Sequence, residues 1–262
     1  SASRATSPPE ASGAPMLPAL VTDTVAPDLR SGLDAALLWG HEAVVLRTVG
    51  RGRVPDVNEA QVRRMLLEAE MPVAAVDPGL FEGAASARAA AYDDIEALAT
   101  LAPFCRRLTC ETVLVGPLAA EPRPVEDAAT LLRRAGDRAD ALGLRLAVRN
   151  DGETAESLAA LVRAVDHPAV AAAWSPADSR AAGETPEAAM GALVNVPLEA
   201  IVADEAFAHE AADGPAADAL AALVRAGFDG TVSLAFSGVP DDGLGTSTAL
   251  IRALRLARRA AR

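Results

Sequence analysis

Arg149 closes the apolar run LRLAVRND and Arg47 closes VVLR, so two permanently charged guanidinium forks sit where strands end. Such a fork holds a carboxylate, phosphate or enolate oxygen bidentately, and Arg47 is placed to act as a second clamp beside Arg149. Asp77 in VDPGLF, and Ser175 with Asp178 in WSPADS, offer acceptors and a hydroxyl that suit the hydroxyl groups of a sugar. The same residues also suit local work, Asp77 by bracing the Pro78-Gly79 turn and Ser175 and Asp178 by shaping a loop. Arg149 has a second reading too: it can pair internally with Asp77, Asp151 or Asp178 and plug a cavity, because a buried charge needs a partner. His209 in ADEAFAHEAADG, near Glu205 and Glu210, is the one imidazole placed for catalytic acid or base work; a solvated loop histidine is the plainer alternative. Gly245, Thr246 and Ser247 in GLGTSTALIRAL open the last helix, where free N–H groups attract anions and where ordinary N-capping uses the same residue types.

Several chemistries are excluded. All 24 basic residues are Arg, so no lysine exists to form a Schiff base or anchor pyridoxal phosphate. Cys105 and Cys110 in PFCRRLTCETV form neither a CxxC motif nor a zinc ligand pattern, and stand as free thiols of a reducing compartment. No GxSxG nucleophile elbow and no GxGxxG loop occurs. A net charge of −12 and an aromatic content of 3% argue against nucleic acid as a partner. The arginines of the last helix complement its dipole. No run reaches the roughly 18 to 20 apolar residues of a membrane span, and no signal-peptide layout opens the chain. The expectation is a soluble, cytoplasmic protein with a small-molecule ligand, no membrane partner and no cofactor.

The elements that must position these residues alternate. Joints such as LLEAEMPVAAV, RADALGLRLAV and LVRAGFDGTVSL each run from an amphipathic stretch through a short break into an apolar, β-branched stretch. Helix feeding strand in this way implies a parallel sheet covered by helices. Strands are expected near 19–24, 43–47, 72–77, 111–116, 144–149, 169–174, 194–202 and 230–236. Helices are expected near 28–39, 58–70, 84–108, 124–142, 153–165, 185–192, 215–226 and 246–260. Eight such units predict an α/β fold, a single (β/α)8 TIM barrel over 19–262, with a doubly wound open sheet as the alternative. Residues 1–18, rich in Ser, Pro and Ala, read as a flexible tail. Pro197 inside VNVPLEAIVAD predicts a short or bent seventh strand.

In this order and spacing, VVLRTVG, VDPGLF, LGLRLAVRND, VDHPAVAAAWSPAD and AGFDGTVSLAF resemble the second, third, fifth, sixth and eighth strands of the xylose isomerase-like barrel superfamily. The likeness spans roughly residues 17–260 and implies a sugar phosphate isomerase or epimerase. In that family a divalent metal is held by a Glu, an Asp, a His and a Glu from the fifth to eighth strands. On this chain those positions fall on Arg149, Ser175, Pro197 (or Asn195) and Ala235, none of which keeps the ligand type. The resemblance therefore implies a barrel that binds a sugar-like or anionic molecule over a degenerate metal site. The alternatives are a metal-independent isomerase or lyase working through Arg149, and a noncatalytic binding or assembly subunit. An acidic barrel of this type can also pair as a homodimer through its outer helices.

Overall fold

A computed structural model describes residues 16–82, 88–116, 125–214 and 216–260. Ten strands follow in chain order: β1 (Leu17–Val21), β2 (Ala43–Leu46), β3 (Thr48–Val49), β4 (Gly52–Arg53), β5 (Val73–Val76), β6 (Thr112–Val115), β7 (Arg145–Arg149), β8 (Val170–Trp174), β9 (Leu198–Ala203) and β10 (Thr231–Leu234). The helices are α1 (Leu29–Trp39), α2 (Glu59–Glu68), α3 (Arg88–Arg107), α4 (Val125–Leu142), α5 (Ala155–Val165), α6 (Pro176–Ala181), α7 (Pro186–Leu193), α8 (Glu205–Asp213), α9 (Ala216–Arg225) and α10 (Gly243–Ala260). Eight of the strands close into a parallel barrel in the order β1-β10-β9-β8-β7-β6-β5-β2. The chain is a (β/α)8 TIM barrel. The remaining pair, β3 and β4, forms a small antiparallel ribbon after β2 that carries Arg53.

Strand periodicity divides the core in two. Inside the barrel lie Ala19, Val21, Ala43, Val45, Ala75, Leu114, Ala147, Ala173 and Ala200, mostly alanines. The alternate residues, among them Leu20, Leu46, Val113, Leu146, Trp174, Ile201 and Leu234, face outward into the layer packed by helices. Burial on both faces is why the strands read as unbroken apolar runs. Each larger outward side chain contributes roughly 1.5–3 kcal/mol when fully buried, so the sheet–helix layer carries most of the hydrophobic stabilisation.

Some boundaries differ from expectation. Met16 is buried and Leu17 and Pro18 already belong to β1, because pairing with β10 extends the strand toward the N-terminus; residues 1–15 of the expected tail lie outside the described residues. Pro197 is not inside its strand but immediately before it, so β9 runs a full six residues. Its missing N–H costs the ladder nothing there, and its carbonyl accepts from Ala172 N at 2.7 Å. The helices α6 and α8, and the β3–β4 ribbon, were not expected.

His41, in the joint between α1 and β2, is buried, with Nε2 3.0 Å from Ser247 Oγ of α10. Burial pushes its pKa down to about 4 against a weaker upward pull from the Ala19 backbone. The unfolded chain binds this proton near pH 6.5 and the folded protein does not. Stability is therefore lost as pH falls from about 6.5 to about 4, by roughly 3 kcal/mol. Urea midpoints of the wild type and His41→Gln across this window should show the slope flattened in the variant.

Candidate functional site

The C-terminal ends of the strands form the mouth of the barrel, and the two-residue period that fills the interior also selects what points into the mouth. Two positions beyond Val45, Ala75, Leu114, Ala147, Ala173 and Ala200 stand Arg47, Asp77, Gly116, Arg149, Ser175 and Val202. Immediately after β10, the residue packed against the interior is Ala235. The mouth of the seventh barrel strand therefore presents Val202, followed by Asp204. Pro197 and the exposed Asn195 precede β9 and lie at the opposite end of the barrel, which corrects the sequence-based placement of that strand's ligand position.

Arg47, Arg53, Asp77, Glu82 and Arg149 at the mouth are all held in ion pairs. Asp77 is almost fully buried: its Oδ1 accepts from Arg53 Nη2 at 2.7 Å and from Gly79 N at 3.2 Å, and its Oδ2 accepts from Arg149 Nη1 at 3.1 Å. It thus braces the turn and binds two guanidiniums at once. Glu82 closes the cluster from the solvent side: Oε2 takes Arg53 Nη1 at 2.8 Å, while Oε1 takes Arg53 Nη2 at 2.9 Å and also Arg149 Nη2. Partial burial works to raise the Glu82 pKa, but the hydrogen bond from Arg53 and the charges of Arg149 and Arg53 outweigh it and hold the carboxyl below its usual range. Gly79 has φ of +78°, and a Cβ there would come within 2.5 Å of Arg53 Cζ, so glycine is required both by the backbone and by the passage of that guanidinium. The same pairing recurs around the rim, Arg47 Nε with Asp23 Oδ2 at 2.9 Å and Arg180 of α6 with Asp204.

Ser175 is an N-cap rather than a free hydroxyl, its Oγ accepting from Asp178 N at 3.4 Å. Its backbone is held by a residue that sequence reasoning missed. Asn150, buried just after β7, accepts Ser175 N on Oδ1 at 2.7 Å and donates from Nδ2 to Ser175 O at 3.1 Å, Glu153 O at 2.9 Å and Ser179 Oγ at 3.3 Å. Ser179 in turn accepts Trp174 Nε1 at 2.9 Å, and the Trp174 ring packs edge-on against Phe207 with centroids 5.4 Å apart. The visible signal was an uncharged amide at a strand end, the type that can satisfy a donor and an acceptor together. Asp178 is half-buried in the first turn of α6.

Two further expectations change. His209 does not sit in a loop: it is exposed on α8. The last helix begins at Gly243, and its cap is Asp242, whose Oδ1 accepts Gly245 N at 2.8 Å while its carbonyl accepts Thr246 N at 3.1 Å. A carboxylate of the chain thus already occupies the position that an anion would take. Thr246 Oγ1 donates to Asp242 O at 3.0 Å, and Ser247 is buried against His41. Among the described residues no group of three or more His, Cys, Asp or Glu is arranged to hold a metal ion.

The family model described as xylose isomerase-like TIM barrel matches residues 33–256. No curated protein matches the chain. Among solved structures, a D-tagatose 3-epimerase-like protein superposes with a TM-score of 0.76 at 14% identity, over 94% of this chain and 100% of that one. An L-ribulose 3-epimerase superposes at 0.72 with 15% identity, covering 94% and 97% of the two chains. A xylose isomerase-like TIM barrel/4-hydroxyphenylpyruvate dioxygenase fusion protein gives 0.72 at 19% identity over 95% of this chain, which spans only 44% of the fusion. At these identities the likeness is one of fold.

Asn150 provides a test of how the rim is built. Asn150→Ala leaves the buried N–H of Ser175 without a partner and its carbonyl with the N–H of Ser179 alone, and should destabilise the protein by about 1–3 kcal/mol with an unchanged denaturant m-value.

Proposed function

The chain belongs to the xylose isomerase-like TIM barrel family, and on that premise we propose that it binds a small polar or anionic, sugar-like molecule at the barrel mouth without metal-dependent isomerisation. The observation that carries this reading is the double pairing of Arg149 with Asp77 and Glu82 at the end of β7. A guanidinium replaces the carboxylate that the family's metal would need there, and a permanent cation repels a dication. The other inward positions, Ser175, Val202 and Ala235, supply a hydroxyl already used as a cap and two aliphatic groups. These residues do not fit the implied metal.

What the mouth supplies instead is a ring of guanidinium and carboxylate groups at Arg47, Asp23, Arg53, Asp77, Glu82 and Arg149, able to hydrogen-bond polyhydroxylated molecules. That the superposed structures include an L-ribulose 3-epimerase and a D-tagatose 3-epimerase-like protein supports a sugar-like ligand. A metal-independent isomerase working through His209 fits less well, since that imidazole is exposed on α8.

Elemental analysis of the purified protein, with D-fructose titration by calorimetry and a C3-epimerisation assay with added Mn²⁺, tests both halves. The expected outcome is substoichiometric metal, measurable D-fructose binding and no epimerisation. A stoichiometric Mn, Co, Mg or Zn ion at the ends of β7 to β10, or Mn²⁺-dependent epimerisation, overturns the metal-free reading; absence of binding by D-fructose and, in the same assay, by the sugar acid D-gluconate and the sugar phosphate D-glucose 6-phosphate overturns the sugar-binding one.

A further inference from the structure

The four-group cluster at the mouth is built asymmetrically. Two guanidiniums, Arg53 and Arg149, converge on one deep carboxylate, Asp77, whose side chain is 4% exposed, and on one shallow carboxylate, Glu82, at 31%. Asp77 alone leaves the cluster one positive charge in excess. Glu82 supplies the missing charge in the way a ligand would, with both oxygens spread across Arg53 and one shared with Arg149. Its hydrogen bonds in the cluster are to these guanidiniums, whereas Asp77 is also tied to the backbone of the turn through Gly79.

The loop that presents Glu82 is held in place by other means. Phe81 is buried with φ of +61°, a conformation rarely adopted by a bulky residue, and its N–H is fixed by Asp94 Oδ2 at 2.8 Å. Leu80 O accepts Gly116 N at 2.9 Å. The backbone leading into Glu82 is therefore anchored without its side chain, and rotation of that side chain breaks its contacts with the two guanidiniums while leaving these anchors intact.

Building on the sugar-binding reading above, we propose that Arg53 and Arg149 form the binding site for the carboxylate or phosphate of an anionic sugar derivative, and that Glu82 occupies this site as a tethered substitute until such a ligand displaces it. A tethered carboxylate competes at an effective concentration on the order of mM, so its removal should strengthen binding of anions and leave neutral sugars alone. The displaced group remains in solvent, and Asp77 stays to hold the two guanidiniums in register.

The test is calorimetric titration of the full chain and its Glu82→Gln variant with D-gluconate, D-glucose 6-phosphate and neutral D-fructose. Glu82→Gln should bind at least one anion about tenfold tighter or more, with D-fructose unchanged, and adding Arg53→Met should remove the gain. Gluconate responding alone assigns a carboxylate site, and the sugar phosphate responding alone a phosphate site. Unchanged or weaker binding of both anions overturns the proposal while D-fructose binding leaves the sugar-binding reading standing; an equal gain for D-fructose also overturns it, since Glu82 would then be only a steric plug. Absence of binding by all three ligands overturns both. If Glu82→Gln does not fold, crystals of the wild type grown with D-gluconate decide: its carboxylate on Arg53 and Arg149 with Glu82 turned away supports the proposal, and Glu82 still seated there overturns it.

Discussion

The carboxylate of Asp77, almost sealed at the end of β5, is the constraint around which the mouth is organised. A buried anion must be compensated, and here compensation comes from two arginines that reach it from separate elements, β4 and β7. Two guanidiniums against one carboxylate create the opposite excess, which requires Glu82. From one buried charge follow the ribbon that carries Arg53, the glycine that lets it pass and the loop that aims Glu82. Arginine suits this work better than lysine, since its planar fork satisfies two carboxylates in one geometry.

The same economy runs along the rim. Asp23 is bound by Arg47 and Asp204 by Arg180, so carboxylates that in another barrel would be free to converge on a cation are each drawn toward a guanidinium. Asp204 also caps α8 through Phe207 N, and Asp242 caps α10. Backbone donors at these helix starts are satisfied by the chain itself, whereas the Arg53–Arg149 pair draws part of its charge compensation from the more exposed side chain of Glu82.

The barrel was legible because its strands are buried on both faces, which writes each as a continuous apolar run between amphipathic stretches. The positions of Arg47, Asp77, Arg149 and Ser175 followed from strand ends. What escaped depends on contacts between distant residues. Nothing local marks Arg53 as a partner of Asp77, because a two-residue ribbon has too short a pattern to read. Asn150 was passed over because an amide's value lies in the four partners it finds after folding. Pro197 was misplaced because an apolar run does not show where its strand begins, and two sides of a helix-to-strand joint look alike; the same uncertainty put His209 in a loop. The pairing of Arg149 with Asp77 stood among the alternatives, but the fourth member, Glu82, did not.

The alanine-lined interior has a consequence for communication through the molecule. Of its nine buried hydrophobic members six are alanine and two are valine, so the axis of the barrel contains few side chains with alternative rotamers to populate. A change at the mouth, such as exchange of one anion for another between Arg53 and Arg149, finds no switchable element along that axis through which to reach the opposite face. Any coupling between the two ends must pass through the outer layer, where leucines, phenylalanines and the Trp174–Phe207 contact join strands to helices. The barrel is in this sense an insulator, and what happens at its mouth is felt by the helices before it is felt by the floor.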